Sequence, residues 1–424
     1  MEQGDLRDQL RRLGIGRGLQ HLEPSPRPKR PSIEDLLPGD VRHTQQGSFF
    51  LHREVYGPDF LHGHHTLQDL FQHPLQRAAL LARDERLAGV DLHRIAFVDT
   101  ETTGLAGGTG TYAFLVGVGR FEGDQFTLYQ FFMRDYDEEP AQLSALGELF
   151  DDLEAVVSFN GKSFDMPLLE TRFIMARQQP RLSEAPHLDL LPPARRFWKY
   201  RLPSCALSTL ETEVLGVART QADVPGWLIP SLYADYARTG DAHEMPGIFY
   251  HNAQDILSLV TLTARMCHLV ALPLPGADGV PGEDLYGLAR LLQDLNDEGR
   301  AEAAFHQAAR TSQIPRVREM AMRDLAYLLK RQERRDEALG WWQQLAESEG
   351  AVYACEELAK HEEWQRQDLA GAIAWTRRGI ELAQKWPAGP KRKGTLGQLK
   401  HRLQRLERKR DLPPGEICQD PAEF

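Results

Sequence analysis

Between His93 and Ala271 short apolar runs alternate with amphipathic stretches, and this alternation constrains the fold more than any other feature of the chain. Ile95-Ala96-Phe97-Val98 has no polar break, as expected of a strand buried on both faces. Two further strands are predicted over 112–119 and 125–133, joined at the hairpin signal Glu122-Gly123-Asp124. From Glu138, Leu143, Leu146, Leu149, Phe150 and Leu153 fall on one helical stripe. Ala155-Val156-Val157-Ser158-Phe159 reads as a fourth strand, 163–177 as a helix and 187–191 as a short strand. Helices are predicted over 204–215 and 246–269. The order β-β-β-α-β-α-β-α implies an α/β mixed sheet flanked by helices.

The flanking regions differ in texture. Residues 1–45, with Pro24-Ser25-Pro26-Arg27-Pro28-Lys29-Arg30-Pro31, read as a flexible segment. Residues 46–90 read as an extension packing on the sheet domain, with a strand over 49–56 and a helix over 66–87 stopped by Gly89. The α/β domain is expected over 91–271 and a Pro/Gly linker over 272–283. Helices alone follow over 284–410, then a tail over 411–424. Arg300-Ala301-Glu302-Ala303, Arg335-Asp336-Glu337-Ala338 and Leu369-Ala370-Gly371-Ala372 resemble one another. Aligning Ala303, Ala338 and Ala372 gives steps of 35 and 34 residues. A period of about 34 is that of tetratricopeptide repeats, in which each helical hairpin buries its apolar face on the next. An ordinary helical bundle is the alternative.

A length of 424 residues leaves room for two or three domains at about 100–200 residues each. With a net charge of −11, any nucleic-acid binding must rest on local basic patches or divalent metal rather than bulk attraction. The cysteines, Cys205, Cys267, Cys355 and Cys418, are widely spaced, which argues against a zinc or disulfide framework and for a reducing compartment. No apolar run approaches the about 20 residues of a membrane span, and the first residues lack a signal-peptide core, so a cytoplasmic location is expected.

Three acidic motifs carry the chemistry. Asp99 and Glu101, in Asp99-Thr100-Glu101-Thr102, end the first apolar run. Side chains two apart on a strand share a face, so the two carboxylates repel, and a hard cation such as Mg²⁺ or Mn²⁺ relieves that repulsion. Phe159-Asn160-Gly161-Lys162-Ser163-Phe164-Asp165 puts Asp165 in the first turn of a helix. Tyr250-His251-Asn252-Ala253-Gln254-Asp255 puts His251 and Asp255 on one helical face. Taken singly, each motif also fits an ordinary acid on a strand end or helix.

Together, over residues 95–268, these motifs resemble the DEDD 3′–5′ exonuclease superfamily, which has the ribonuclease H-like fold. The stretches Leu105-Ala106-Gly107-Gly108-Thr109-Gly110-Thr111-Tyr112 and Phe114-Leu115-Val116-Gly117-Val118-Gly119 are most similar to its bacterial YprB-like branch. The resemblance implies phosphodiester hydrolysis of DNA or RNA ends with two Mg²⁺ or Mn²⁺ ions. Asp99, Glu101, Asp165 and Asp255 would hold the metal, with Asp99 bridging both ions. The third motif of the superfamily is H-x-x-x-x-D or Y-x-x-x-D; here Tyr250 stands five before Asp255 and His251 four before it. Either could be the general base; helical geometry favours His251, whose imidazole takes a proton at neutral pH. Thr102 and Asn160 are candidate substrate contacts.

Arg195-Arg196-Phe197-Trp198-Lys199-Tyr200-Arg201 interleaves four cations with three aromatics. It suits phosphate contacts with base stacking by Arg195, Arg196, Lys199, Arg201 and their neighbours, or a helix end with its aromatics in the core. From Lys385 to Arg410 there are ten Lys or Arg and one acid, Glu407, as in a nucleic-acid arm or a capping helix. Gly108-Thr109-Gly110-Thr111-Tyr112-Ala113 matches a dinucleotide fingerprint, but a strand and not a helix is expected after it. His62-Gly63-His64-His65 reads as a polar loop. A non-catalytic scaffold of the same fold, with the helical repeats binding a protein partner, is the alternative to an exonuclease. Endonuclease action is a third possibility.

Overall fold

A computed structural model describes residues 30–104, 110–179, 184–220 and 222–411. They divide into two compact units. One takes the chain through Phe60, Asp91–Pro186 and Ala218–Leu259; the other takes Leu61–Val90, His187–Val217 and the chain from Val260.

The first unit is built on β1 (Asp40–Thr44), β2 (Gly47–Tyr56), β3 (Ile95–Thr102), β4 (Ala113–Glu122), β5 (Gln125–Phe132) and β6 (Ala155–Ser158). They lie in the order β1-β2-β5-β4-β3-β6. Neighbours are antiparallel except β3 and β6, which run parallel with Ile95 beside Ala155 and Phe97 beside Val157. The expected mixed α/β sheet is therefore present. Its hairpin turns at Gly123, whose φ of +63° suits a residue without a Cβ.

Both faces are covered. On one, Ala96, Val98, Val116, Val118 and Phe131 pack with α2 (Glu139–Phe150) and α3 (Asp165–Met175) through Leu143, Leu146, Leu168 and Phe173. On the other, Phe114, Leu115 and Phe132 pack with α4 (Ile229–Thr239) and the start of α5 (Met245–Ala271) through Tyr233, Ile248 and Phe249. The unit division falls inside α5. Burial of both faces explains the unbroken apolar reading of β3.

The expected flexible segment, 1–45, needs correction. Its first 29 residues lie outside the described residues, but α1 (Ile33–Leu36) is capped by Ser32, Ile33 is buried in the core, and β1 pairs with β2. The single helix expected over 66–87 is instead a 3₁₀ turn (Leu67–Gln72), a helix (Gln76–Ala82) and a second 3₁₀ turn (Glu85–Gly89). Pro74 interrupts the first junction, and Arg83 takes a left-handed φ of +55° at the second.

The second unit runs through α6 (Gly282–Asp294), α7 (Glu298–Thr311), α8 (Pro315–Arg331), α9 (Arg335–Glu347), α10 (Val352–Trp364), α11 (Leu369–Gln384) and α12 (Pro390–Asp411). Each packs on the next. The three similar stretches of sequence begin α7, α9 and α11, each the first arm of a helical hairpin. α12 is held by Leu399 and Leu406 in the core and by the buried Glu363, which accepts from Arg402, Arg405 and Lys409. Three of the ten basic residues expected of an arm are thus spent internally.

The expected domain edge at 271 is not where compactness changes. Residues 187–217 group with the C-terminal helices, because the Leu191–Trp198 helix buries Phe197 and Trp198 there. A Cβ on Gly287 of α6 would come within 2.6 Å of Arg196 O, so the two helices meet backbone to backbone. Among the described residues no helix is long and apolar enough to cross a membrane.

Candidate active site

Around the C-terminal end of β3, Asp99 and Glu101 feel the charges of Asp165 and Asp255. Asp99 and Glu101 extend from the strand. The parallel pairing of β3 with β6 brings the turn after Ser158 beside them, and Asp165 opens α3 from that turn. The turn has no room for a side chain at Gly161. Asn160 has φ +66°, and a Cβ on Gly161 would lie 2.3 Å from Ser158 Oγ and 3.2 Å from Asp165 Oδ2. Asn160 thus has a backbone reason for its place in the motif, since asparagine tolerates the left-handed region. Thr100 Oγ1 donates to Asp165 Oδ1 and fixes that carboxylate against β3.

Asp255 arrives from α5, which comes close because β4 is bare where it passes. Gly117 lies opposite Asp99 in the β3–β4 ladder, and a Cβ there would meet Asn252 Oδ1 at 2.2 Å. A Cβ on Gly119 would meet Ile256 Cγ2 at 2.7 Å. Into this gap Asn252 donates to Asp99 Oδ2 (2.8 Å) and to Asp99 O (3.3 Å), and accepts from Gln130 Nε2 (2.9 Å).

The electrostatics follow from the gathering of like charges. Burial, then the charges of Asp255 and Asp165, raise the Asp99 carboxyl well above the ordinary carboxylate range. Glu101 is raised well above it too, by burial and then by Asp99, Asp255 and Asp165. Arg219 is the cation that opposes this: it donates to Asp255 Oδ1 and lowers the proton affinity of both Asp99 and Glu101. His251 stands beside the cluster, with Nε2 3.7 Å from Asp255 Oδ2 and Nδ1 2.8 Å from Asp223 Oδ1. The Tyr250 hydroxyl instead accepts from the backbone N–H of Thr220 at 3.0 Å, which anchors the loop bearing Arg219.

Among the described residues no three His, Cys, Asp or Glu side chains stand ready to grip one ion. The donor set nonetheless suits a hard cation: four carboxylates of one sign, two of which hold protons abnormally tightly because of burial and the charges of the other acids.

The remaining expected residues lie elsewhere. Thr102 is buried beyond a bulge in β3, and its hydroxyl donates to Gly104 O at 2.9 Å, shaping the loop. In the second unit, Arg201 Nε donates to the buried Asp284 Oδ1 at 2.8 Å, beside the bond from Trp198 Nε1 to Asp284 Oδ2 at 3.1 Å. Arg196 pairs with Asp294, while Arg195 and Lys199 are exposed, with Lys199 Nζ 4.8 Å from the centre of the Tyr200 ring. Base stacking by Phe197 and Trp198 is ruled out, since both are fully buried.

Sequence reasoning passed over Asn252, Thr100, Gly117, Arg219 and Asp223. Asn252 and Thr100 lie within the acidic motifs, and glycines alternating on a strand, as Gly117 and Gly119 do, signal close approach of another element. Nothing local distinguishes Arg219 or Asp223.

A strand-end carboxylate pair joined by acids from a following helix and from a helix across the sheet agrees with a family comparison: the model described as RNase_H superfamily matches residues 96–267. The chain belongs to that superfamily. It is 32% identical over 292 residues to the Bacillus subtilis (strain 168) protein named "Uncharacterized protein YprB", covering 67% of this chain and 68% of that one.

Proposed function

We propose that the chain is a metal-dependent nuclease, a 3′–5′ exonuclease acting on single-stranded ends of DNA or RNA. One observation carries this reading: carboxylates from three separate elements, Asp99 and Glu101, Asp165, and Asp255, share one electrostatic field, in which Asp99 and Glu101 are raised well above the ordinary carboxylate range. Asp99, Glu101, Asp165 and Asp255 would hold two Mg²⁺ or Mn²⁺ ions, with Asp99 common to both. Bound there, such ions neutralise the developing phosphate charge and make water a stronger nucleophile. His251 takes the proton from the attacking water. Its Nδ1–H bonded to Asp223 leaves Nε2 open on the side of Asp255. Asn252 holds Asp99 in place, and Thr100 holds Asp165. Asn160 and Thr102 remain candidates for substrate contacts, and Arg195 and Lys199 for backbone phosphates. A protein partner for the helical hairpins would use the concavity lined by Trp342, Trp364, Lys360 and His361.

A second reading, a non-catalytic nucleic-acid-binding scaffold, draws on Arg219, which already occupies an oxygen of Asp255. Labelled single strands incubated with Mn²⁺ separate the two. Cleavage by wild type that Asp99→Ala abolishes is expected; wild-type binding without cleavage in Mn²⁺ or Mg²⁺ would leave the scaffold. An end-blocked strand that is still cut would show internal cleavage instead.

A further inference from the structure

Arg219 is a cation set among the acids, and neither the acidic motifs nor the proposed metal chemistry calls for it. Its side chain is 13% exposed. Nη2 donates to Asp255 Oδ1, and Nη1 lies 3.1 Å from His251 Nδ1 and 3.5 Å from Asp223 Oδ1. The loop that carries it is tied down. Thr220 N–H bonds to Tyr250, and a Cβ on Gly247 of α5 would come within 2.7 Å of Val224 Cγ1 and 3.0 Å of Ala222 O. The guanidinium is therefore held at the carboxylates by its neighbours.

A divalent cation bound at Asp255 repels the guanidinium at Oδ1 and draws off the electron density that holds it, so the Arg219–Asp255 pair weakens as the metal enters. Once released, a guanidinium offers a fork of donors matched to a phosphate. We propose that Arg219 is a resident counter-ion of Asp255, that an entering divalent cation displaces it, and that the freed guanidinium then takes the phosphate of a nucleic-acid end. The proposal rests on the metal-dependent reading above. It makes metal and phosphate bind cooperatively, because each favours the arrangement the other needs.

Calorimetric titration of the full chain with Mn²⁺ tests this, alone and with a nucleoside 5′-monophosphate present. R219Q should bind Mn²⁺ about tenfold more tightly than wild type, since no pair has to be broken, and R219K should fall between. The monophosphate should tighten Mn²⁺ binding about fivefold more in wild type than in R219Q. Equal Mn²⁺ affinity in wild type and R219Q, or an equal monophosphate effect in both, overturns the proposal while leaving a metal nuclease standing. No Mn²⁺ binding by any of the three proteins removes both. If R219Q does not fold in chelator, R219K decides: a wild-type affinity there sinks the displacement idea.

Discussion

Two buried acidic places in this molecule are built on opposite charge balances. Glu363, in the helical unit, is one carboxylate facing Arg402, Arg405 and Lys409. Burial alone would raise its proton affinity, yet the hydrogen bonds from Arg405 and the three positive charges pull it below the ordinary range. Around Asp99 four carboxylates face one guanidinium, and Asp99 and Glu101 are raised. The first arrangement holds itself together, pinning α12. The second leaves Asp99 and Glu101 raised, as expected of a place shaped for a ligand rather than for stability.

The comparison can be broken at several points. Asp99→Asn should cut Mn²⁺-dependent strand cleavage about 10³-fold, a loss of about 4 kcal/mol in transition-state stabilisation. The same variant should melt no lower than wild type in chelator, because it relieves repulsion; a lower melting temperature would mean that Asp99 is structural. Glu363→Gln should destabilise the helical unit by about 3 kcal/mol, since it strips the shared anion from three cations, two of them less than one-fifth exposed. Urea unfolding reads that loss, and cleavage per folded molecule should not change. Gly117→Ala should cost about 2 kcal/mol and also weaken cleavage, because the new methyl meets Asn252 Oδ1. A Gly117→Ala protein of full activity would show that the hold of Asn252 on Asp99 is dispensable.

The smallest effect is in pH, and its sign separates the two places. The folded pKa of Asp99 and Glu101 is raised, so between the ordinary value near 4 and the raised one the native state binds more protons than the unfolded chain. Metal-free stability contributed there is present below about pH 4 and is lost as pH rises through the folded values. Glu363 is lowered, so its contribution is present above about pH 4 and is lost as pH falls through its folded value. Melting temperatures across pH in chelator, wild type against Asp99→Asn and Glu363→Gln, should show slopes of opposite sign. Parallel curves would erase the distinction.

Much of this was legible in the residues themselves. The run Ile95-Ala96-Phe97-Val98 reads as a buried strand because both of its faces are covered, and the step between Arg300, Arg335 and Leu369 marks three hairpins because each of these residues lies in the first turn of a helix. The acids were legible because strand and helix spacing fixes which side chains share a face. Arg219 was not, since its role depends on a loop laid on α5 far along the chain. Nor was the place of 187–217, because the burial of Trp198 and its bond to Asp284 are tertiary facts. Lys199 and its neighbours read alike as phosphate contacts and as a helix end, and only the burial of Phe197 and Trp198 removes stacking from the choice.

Asn252 has a consequence for how fast and how selectively the cluster can engage a ligand. One amide spans the main chain and side chain of Asp99 while Gln130 steadies it from β5, on the far side of β4. Asp99 is thereby frozen in a single rotamer before anything binds, and about 0.5–1.5 kcal/mol of side-chain ordering drops out of the association step. On the proposed metal-binding reading, the preorganised oxygen would set a fixed span to its partners, and ions of the wrong radius would be disfavoured.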